Sequence, residues 1–363
     1  MVQYRTAERI LARDKRVFVG VDVHKESWHV SALIEGEVVF RGGIPADYGG
    51  LRDLVSRFRD CEVRVAYEAG PCGFSLHDRL EGDGVRCLVT PPSLVPMESG
   101  NRVKTDRRDS LKLARLLEAG MLKEVFVLSE AERSHRDLVR TRRQLVQHRG
   151  DVIRQVKAKL LFHSLRPNHR GGASWSRRYA ALVRAVPYPT EVLHRAIDAL
   201  LGVCEYLTEQ IRAVSREILS LARTDRYRAR VELLRTIPGI GVLTAMEILT
   251  ELGDLSRFGS NEELASFLGL TPSEYSSGES IRQGRITHCG NTRLRSSLVE
   301  CSWVLVRRDP AMRRKFDRIK RVRGAKRAIV AVARTLSACI RHVLLTGERY
   351  IVGHEAAKDA ANQ

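Results

Sequence analysis

The sequence predicts two fold types in one chain, a mixed α/β domain at the N-terminus followed by a longer, mainly helical region. Short β-branched runs alternate with helical spacing before residue 100, apolar residues then recur at heptad spacing, and the basic C-terminal third has helical spacing around a glycine turn. A chain of 363 residues exceeds what one hydrophobic core usually supports. We therefore expect an α/β domain over 1–125, a helical arm over 126–226, a C-terminal domain over 227–350 and a tail over 351–363.

The α/β domain is expected to contain a mixed sheet. Residues 17–23 form a β-branched run typical of a buried strand, and two further runs separated by Glu35-Gly36 predict a meander after it. Later strands alternate with helical segments, as in mixed α/β sheets. The predicted strands are 17–23, 28–34, 38–41, 62–67 and 85–89, and the predicted helices include 48–58 and a helix from Asp106 to about Ala119.

The helical arm is predicted from heptads. Apolar residues over 193–221 follow a 4-3-4-3 spacing, which is typical of a coiled coil. An arginine-rich segment before them repeats apolar residues every seven positions, as in Leu138, Leu145 and Val152, and predicts a partner helix. The loop between the helices is expected at 167–176, which is rich in glycine, arginine and serine. The spacing leaves open whether the helices pair within one chain or between two.

The C-terminal domain is predicted to be mainly helical. Residues 234–252 show two helical segments joined by a tight glycine turn, the pattern of a helix-hairpin-helix. Backbone amides in such a turn are suited to a phosphate, and an ordinary turn without a ligand fits the motif equally well. A stretch rich in serine and glycine follows over 273–290, before a helical and strongly basic end.

Charge is the most unusual property of the composition. The chain carries 62 Lys and Arg against 43 Asp and Glu, a net charge of +19. Two segments hold much of the excess, 131–170 with 11 basic against 3 acidic residues and 281–330 with 15 against 3. An excess of this size needs an anionic partner, and nucleic acid is the first candidate. A solvated helix face is the alternative for either segment taken alone.

Membrane and secretory functions are not indicated. No stretch reaches the roughly 18 apolar residues of a spanning helix, and the N-terminus alternates charged with apolar residues instead of forming a signal sequence. The seven cysteines include no Cys-X-X-Cys pair, so neither a disulfide framework nor a thiolate zinc site is indicated. We expect a cytoplasmic protein with reduced thiols and no membrane partner.

Four carboxylates lie at the ends of predicted elements. Asp22 is near the end of an apolar strand, where a buried carboxylate needs a cation or another partner. Glu68 ends a second strand, and Asp106 and Asp109 stand three apart on one face of a helix start. Such a cluster suits two Mg²⁺ ions roughly 4 Å apart, which stabilise both oxygens of an in-line phosphoryl displacement. Each residue alone also fits a structural role, as a turn, surface or helix N-terminal acid.

Two histidines beside Asp22 are a candidate zinc site that we reject. Histidine is a common zinc ligand, and His24 and His29 lie five residues apart. On one strand, an odd spacing sends side chains to opposite faces of the sheet. We therefore expect these two histidines to point away from each other.

Several short motifs carry a family resemblance over nearly the whole chain. They resemble those of the DEDD transposases of the one-ten family of bacterial insertion sequences. The resemblance implies an N-terminal RuvC-like (RNase H-type) domain, a coiled-coil arm and a C-terminal transposase domain whose serine attacks DNA. The motifs are Gly20–Lys25, Tyr67–Pro71, Lys104–Asp109, Ile237–Gly241, Leu270–Pro272 and Tyr275–Gly278.

The resemblance also implies partners. Members of this family act as recombinases guided by an element-encoded bridge RNA and work as oligomers. For this chain it implies DNA partners, namely the element ends and the target, together with a bridge RNA and a second copy of the chain in a dimer or tetramer. The RNA dependence has no signature in composition or spacing.

Residue by residue, the resemblance assigns a metal-binding tetrad and a nucleophile. The nucleophile is Ser277, and Ser276 and Ser280 beside it are not distinguished from it on physical grounds. Two positions depart from the family pattern, with Ser110 in place of the usual alanine and Cys72 in place of an expected threonine. The tetrad is Asp22, Glu68, Asp106 and Asp109.

Arginines in two segments are candidates for nucleic-acid contacts. Because arginine presents a planar fork to phosphate oxygens, the arginines that follow Ser277 are suited to clamp a scissile phosphate, and plain backbone binding is the alternative. Arginines of the arm are expected to contact RNA or DNA backbone. The candidates are Arg282, Arg285 and Arg293 in the first group and Arg142, Arg143, Arg149 and Arg154 in the second.

The function predicted from the sequence is a DNA transposase or site-specific recombinase. It is expected to cut and rejoin element and target DNA with a Mg²⁺-bound carboxylate tetrad and a serine nucleophile. One alternative is a RuvC-like, metal-dependent junction nuclease that uses water. A second alternative is a nucleic-acid-binding protein without catalysis. Strand cleavage that depends on a divalent metal separates this last possibility from the others.

Overall fold

The computed structural model describes residues 15–58, 60–96, 106–167, 175–274, 283–286 and 289–353. The chain consists of two compact units, Met1–Val127 and Leu128–Gln363. The boundaries expected for the α/β domain, the arm and the C-terminal domain stay predictions.

The first unit contains a mixed five-stranded sheet, in agreement with the RNase H-like domain that the sequence predicts. The strands lie in the order β3-β2-β1-β4-β5, with antiparallel pairing among β1, β2 and β3 and parallel pairing of β4 with β1 and β5. The strands are β1 (Arg16–Val23), β2 (Ser27–Ile34), β3 (Glu37–Pro45), β4 (Glu62–Glu68) and β5 (Arg86–Thr90). The helices are α1 (Tyr48–Ser56), α2 (Ser75–Gly82) and α3 (Asp106–Glu118).

Both faces of the sheet are covered. Val17, Val19 and Val21 of β1 belong to a core that includes residues of α1 and α2, whereas Phe18 belongs to a second core. That second core includes Leu113 of α3. Because side chains alternate along a strand, burial on both faces explains why β1 is apolar almost throughout.

The second unit is mainly helical, and its two longest helices pack antiparallel within the chain. Arg142 Nε of α4 donates to Ser215 Oγ of α6 at 2.8 Å, whereas Val156 near the other end of α4 shares a core with Ile197 near the start of α6. The coiled coil itself stays a prediction. The long helices are α4 (Glu130–Phe162) and α6 (Glu191–Leu221), with α5 (Arg177–Arg184) between them.

The remaining helices share one core with the base of the α4–α6 pair, because that core contains Val139 and Ile218. Two short strands form an antiparallel pair that the sequence did not predict. The helices are α7 (Arg228–Arg235), α8 (Val242–Leu252), α9 (Asn261–Phe267), α10 (Thr292–Arg308), α11 (Pro310–Arg323) and α12 (Ala325–Thr346), and the strands are β6 (Pro272–Glu274) and β7 (Gln283–Ile286).

The turn between α7 and α8 lies against α10. Gly239 has a φ of 97°, and a Cβ added there would stand 2.7 Å from the carbonyl oxygen of Cys301. Both the conformation and the close approach require glycine. Packing therefore explains this glycine without a ligand, and the helix-hairpin-helix stays a prediction.

One described helix, α12, has the length and apolar composition of a membrane-spanning segment, so the expectation that no stretch is apolar enough is corrected. Its most apolar window is 61% buried within the protein. Residues along its length, including Ala328, Val332, Leu336 and Ile340, belong to the main core of the second unit. Packing accounts for the apolar surface of α12, as for the central helix of a folded domain.

Candidate active site

The C-terminal ends of β1 and β4 bring Asp22 and Glu68 to one edge of the sheet. The two strands are adjacent and parallel, with Gly20 opposite Ala66. Two residues further along each strand, the same register sets Asp22 beside Glu68. Because side chains alternate, both carboxylates lie on the face that carries Gly20 and Ala66.

Helix α3 crosses this face and runs antiparallel to β1. Near its C-terminus, Glu118 Oε1 accepts a hydrogen bond from the amide of Gly36 at 2.8 Å, in the turn beside the start of β1. Nearer its N-terminus, the carbonyl of Ser110 lies over Gly20. The first turn of α3 therefore extends toward the C-terminal end of β1.

The two aspartates of α3 lie in this first turn. Leu113 and Leu117 bury against the sheet, and a helix repeats a face every three or four residues, so Asp109 continues the same face. Asp106 is the first residue of α3, and its side chain lies outside the described residues. The elements that carry Asp22, Glu68 and the two aspartates thus meet at one edge of the sheet.

The donor set at this edge fits a hard divalent cation. Carboxylate oxygens are the ligands that Mg²⁺ prefers, and the side chain of Asp22 is only 20% exposed, so its charge is partly removed from water. Among the described side chains, no group of three or more histidine, cysteine or acidic residues is close enough to hold a metal ion. Asp106 is not one of these side chains, so the predicted tetrad is only partly described.

The two histidines are arranged differently from the expectation. β1 ends at Val23 and β2 begins at Ser27, so His24 belongs to the turn and the assumption of a shared strand is wrong. His24 Nε2 lies 3.2 Å from Asp22 Oδ2, and His29 stands opposite Asp22 in the β1–β2 register. Both histidines therefore flank Asp22.

Sequence reasoning missed a buried polar network beside this edge. Ser110 Oγ lies 2.8 Å from His29 Nδ1 and 2.9 Å from Ser31 Oγ, and both serines are fully buried. The network joins α3 to β2 directly next to Asp109. The residues are about 80 positions apart in the chain, so spacing carried no signal; the only hint was the departure from alanine at Ser110.

The predicted arginines of the arm have different surroundings. Arg142 contacts Ser215, and Arg143 Nη1 donates to Glu247 Oε1 at 2.6 Å and to Ser297 Oγ at 3.0 Å. These two side chains hold helices of the second unit together. Arg154 is 72% exposed and pairs with Asp151 on the same helix, so it is accessible to a partner.

The arginines that follow Ser277 are only partly described. Ser277 and Arg282 lie outside the described residues, as do Ser276 and Ser280, and for Arg285 the structure describes the backbone, in β7. Arg293 is exposed in the first turn of α10, and its carbonyl oxygen accepts from Arg143 Nη1 at 3.0 Å.

A buried ion pair, also missed from sequence, fixes α4 to α8. Arg140 Nε donates to Glu251 Oε1 at 2.6 Å and Arg140 Nη2 to Oε2 at 2.8 Å, and the Glu251 side chain is 2% exposed. Asn291 Nδ2, at the start of α10, donates to the same carboxylate at 2.8 Å. Burial alone raises the pKa of Glu251, but Arg140 and Asn291 outweigh it and lower that pKa below its ordinary value. The carboxylate is thus a charged link among three helices.

Helix α11 presents an exposed basic face. Its one acidic residue, Asp317, accepts from Arg313 Nε at 2.8 Å. Basic residues outnumber the single acidic residue of α11, so the exposed face retains a net positive charge suited to phosphate. Its further exposed basic residues are Arg314, Arg318, Lys320, Arg321 and Arg323.

Comparison with known proteins gives two family matches and several relatives. Residues 19–164 match a family described as a DEDD transposase of the IS110 type, and residues 231–317 match the family described as transposase IS116/IS110/IS902. A putative transposase, y4qE, of Sinorhizobium fredii is 35% identical over 96% of this chain and 87% of its own length. The transposase for insertion sequence element IS1111A of Coxiella burnetii is 25% identical over 92% and 91%, respectively. The transposase for element IS1533 of Leptospira borgpetersenii is 27% identical over 66% and 70%.

Proposed function

Because the chain belongs to the IS116/IS110/IS902 family of DNA transposases, we propose that it cuts and rejoins element and target DNA with a metal-bound carboxylate tetrad and a serine nucleophile. The observation that supports this most is the shared sheet edge, where Asp22 and Glu68 end two adjacent parallel strands beneath the first turn of α3. A RuvC-like domain with carboxylates at this edge is suited to phosphoryl transfer on DNA.

The tetrad Asp22, Glu68, Asp106 and Asp109 would hold two Mg²⁺ ions. When bound, Mg²⁺ neutralises charge on phosphate oxygens and makes a hydroxyl a better nucleophile. The protein supplies the carboxylates, and the Ser110 network keeps the turn that contains Asp109 against the sheet. The partial burial of Asp22 strengthens its interaction with a cation.

The nucleophile is the Ser277 hydroxyl. Its Oγ attacks the scissile phosphorus, a Ser–O–P bond forms, and the bond to the departing DNA oxygen breaks as that oxygen takes up a proton. The phosphodiester energy is conserved in the protein–DNA bond, so a hydroxyl of a second strand can reverse the step. The serine proton needs an acceptor, for which Glu279 is nearest in sequence and the carboxylate tetrad is the better candidate. Folding or oligomer assembly must then bring Ser277 to the tetrad.

The proposed partners of this protein rest on its basic surface and on its family. The exposed face of α11 and Arg154 of the arm are suited to phosphate backbone, and we assign Arg282, Arg285 and Arg293 to the DNA near the scissile phosphate. A bridge RNA is the second nucleic-acid partner. The active form is a dimer or tetramer acting in the cytoplasm, where the bacterial chromosome lies.

Covalent trapping tests the proposal. The full chain, its guide RNA and a nicked DNA substrate are incubated with Mg²⁺, and a protein–DNA adduct is mapped by mass spectrometry. We expect the adduct at Ser277 and its loss in Ser277→Ala, with Ser276→Ala and Ser280→Ala as matched controls that retain it. An adduct at a neighbouring serine overturns the assignment of the nucleophile.

Two results would favour the alternatives. Free DNA ends without an adduct indicate a nuclease that uses water. Binding without any cleavage that depends on a divalent metal indicates a non-catalytic nucleic-acid-binding protein.

Light scattering of the complex with DNA tests the proposed oligomeric state. A monomeric protein in this complex would contradict that part of the proposal.

A further inference from the structure

The second unit contains a cavity of about 480 Å³ between α4, the start of α5 and α6, here called the Trp175 cavity. Its volume is in the range of sites that hold one small ligand. None of the roles proposed above uses this cavity, although one of the predicted arm arginines, Arg149, lines it.

One wall of the Trp175 cavity is aromatic and its floor is apolar. Trp175 is half-buried and packs against Tyr179, with 5.6 Å between the ring centroids. Leu201, Cys204 and Ala180 are buried and line the cavity. An indole beside an apolar floor is suited to a flat ring, because every base has a π-face that stacks on an aromatic side chain.

The remaining lining is predominantly positive. Arg149, Arg177 and Arg212 face the cavity with two glutamates. One of these, Glu205, is held by two hydrogen bonds of 2.7 and 3.0 Å from Arg184, so its charge is compensated outside the cavity. Three guanidinium groups therefore oppose one remaining carboxylate, that of Glu209.

Arg149 has a buried donor that lacks a partner in the described part of the chain. Its Nε is inaccessible to solvent and makes no hydrogen bond within the described residues. The Arg149 side chain lines the Trp175 cavity, so an anion bound in the cavity lies within its reach. A phosphate oxygen supplies the charge and the geometry that a guanidinium group binds best.

We propose that the Trp175 cavity takes one unpaired nucleotide of a single-stranded nucleic acid, with its base against Trp175 and its phosphate on Arg149 and Arg212. A double helix hides its base faces and does not fit a cavity of this size. An apolar ligand leaves the guanidinium groups without a counter-charge, and a simple anion leaves the aromatic wall unused. The inference rests on the proposed function, since it takes nucleic acid as the partner.

Tryptophan fluorescence tests the site without altering it. The chain has three tryptophans, so replacing Trp28 and Trp303 with phenylalanine leaves Trp175 as the reporter. The probe is a short oligoadenylate, as RNA and as DNA, and the same strand annealed to its complement. We expect saturable quenching by the single strand and little by the duplex, and the RNA and DNA arms identify which strand is preferred.

Variants measure the contribution of the site. Trp175→Leu, which keeps apolar volume, is expected to weaken binding of the single-stranded probe about tenfold, and Trp175→Phe is expected to restore much of it. Arg149→Gln is expected to weaken the same complex. Trp303→Leu, on the exposed surface of α10, is the matched control and should bind as the parent does.

The outcomes separate this inference from the proposed function. If the parent recombines DNA but Trp175 is not quenched and Trp175→Leu binds the single strand normally, the cavity assignment is wrong while the transposase mechanism stands. Equal quenching by single strand and duplex also overturns the assignment. If the parent binds no nucleic acid at all, both fail.

Discussion

Gly20 and Ser110 are in direct backbone contact, since a Cβ added to Gly20 would stand 2.1 Å from the carbonyl oxygen of Ser110. Strand β1 and helix α3 therefore meet with no side chain between them. The contact sets the distance of α3 from the sheet, and with it the height of Asp109 above the edge that carries Asp22. A side chain at residue 20 is therefore expected to change both the stability of the first unit and the arrangement of the proposed tetrad.

Gly20→Ala is expected to reduce the free energy of unfolding of the first unit by about 3 kcal/mol, because the clashing atoms are backbone and can move only with the helix. Urea denaturation followed by Trp28 fluorescence, with Trp175 and Trp303 replaced by phenylalanine, measures this free energy. Gly82→Ala is the control, because a Cβ there meets nothing within 4 Å. Equal stability of both variants would contradict the close packing of α3 on β1.

Ser110→Ala is expected to lower the free energy of unfolding by about 1–2 kcal/mol, because it removes the buried hydroxyl that His29 and Ser31 share as a partner. Recombination is expected to fall with it, since α3 is less firmly held next to Asp109. The exposed Ser56→Ala is the control, with a change within about 0.5 kcal/mol. Wild-type stability in Ser110→Ala would show that the network contributes nothing.

Asp22→Asn and Asp109→Asn are each expected to lower Mg²⁺-dependent recombination by orders of magnitude, because each removes a ligand charge while keeping side-chain shape. Circular dichroism should show an unchanged fold. The exposed Asp53→Asn on α1 is the matched control and should retain activity. Full activity of the Asp109→Asn protein would exclude that residue from the tetrad.

Arg140→Met is expected to destabilise the second unit by about 3–5 kcal/mol at pH 7, because it leaves the Glu251 carboxylate buried without its charged partner. The pKa of Glu251 in the folded protein lies below its ordinary value of 4.5. The ion pair of Glu251 with Arg140 therefore stabilises the protein fully above pH 4.5, and this stabilisation is lost as the pH falls through the pKa of the folded state. The difference between parent and variant should therefore shrink below about pH 4.5.

Arg235→Gln is the control for this pair, because Arg235 and Glu232 form an ion pair with both side chains about half exposed. Arg235→Gln should lower the free energy of unfolding by less than about 1 kcal/mol. A difference between parent and Arg140→Met that stays constant down to pH 3 would contradict the assigned role of Glu251.

Replacing Arg314, Arg318 and Arg321 of α11 together with glutamine is expected to flatten the slope of log affinity for duplex DNA against log salt by up to about 0.9 per lost phosphate contact. Arg154→Gln should act similarly for the arm. Arg143→Gln should instead lower the free energy of unfolding, because it removes the charged donor to Glu247 and Ser297. An unchanged slope in the α11 variant would identify that face as merely solvated.

The sequence by itself predicted the sheet of the first unit and the class of chemistry proposed for its edge. The run from Val17 to Val23 predicted β1, the glycine-marked turn predicted the meander, and the carboxylate types at element ends predicted where a metal would bind. Local sequence patterns suffice for these predictions because the periodicities of strands and helices depend on residues that are close in sequence. The family motifs added the expected order of the domains and the proposal that Ser277 is the nucleophile.

Only the tertiary structure decided which residues meet. The pairing of α4 with α6 in one chain, the hydrogen bond of Ser110 with His29, and the burial of Glu251 against Arg140 all join residues far apart in sequence. Helical periodicity identified an arginine-rich face but did not separate Arg143, which holds helices together, from the exposed Arg154. An arginine binds a carboxylate of its own chain as readily as an external phosphate, because both present oxygen anions to the same guanidinium group, and only packing decides which one is within reach.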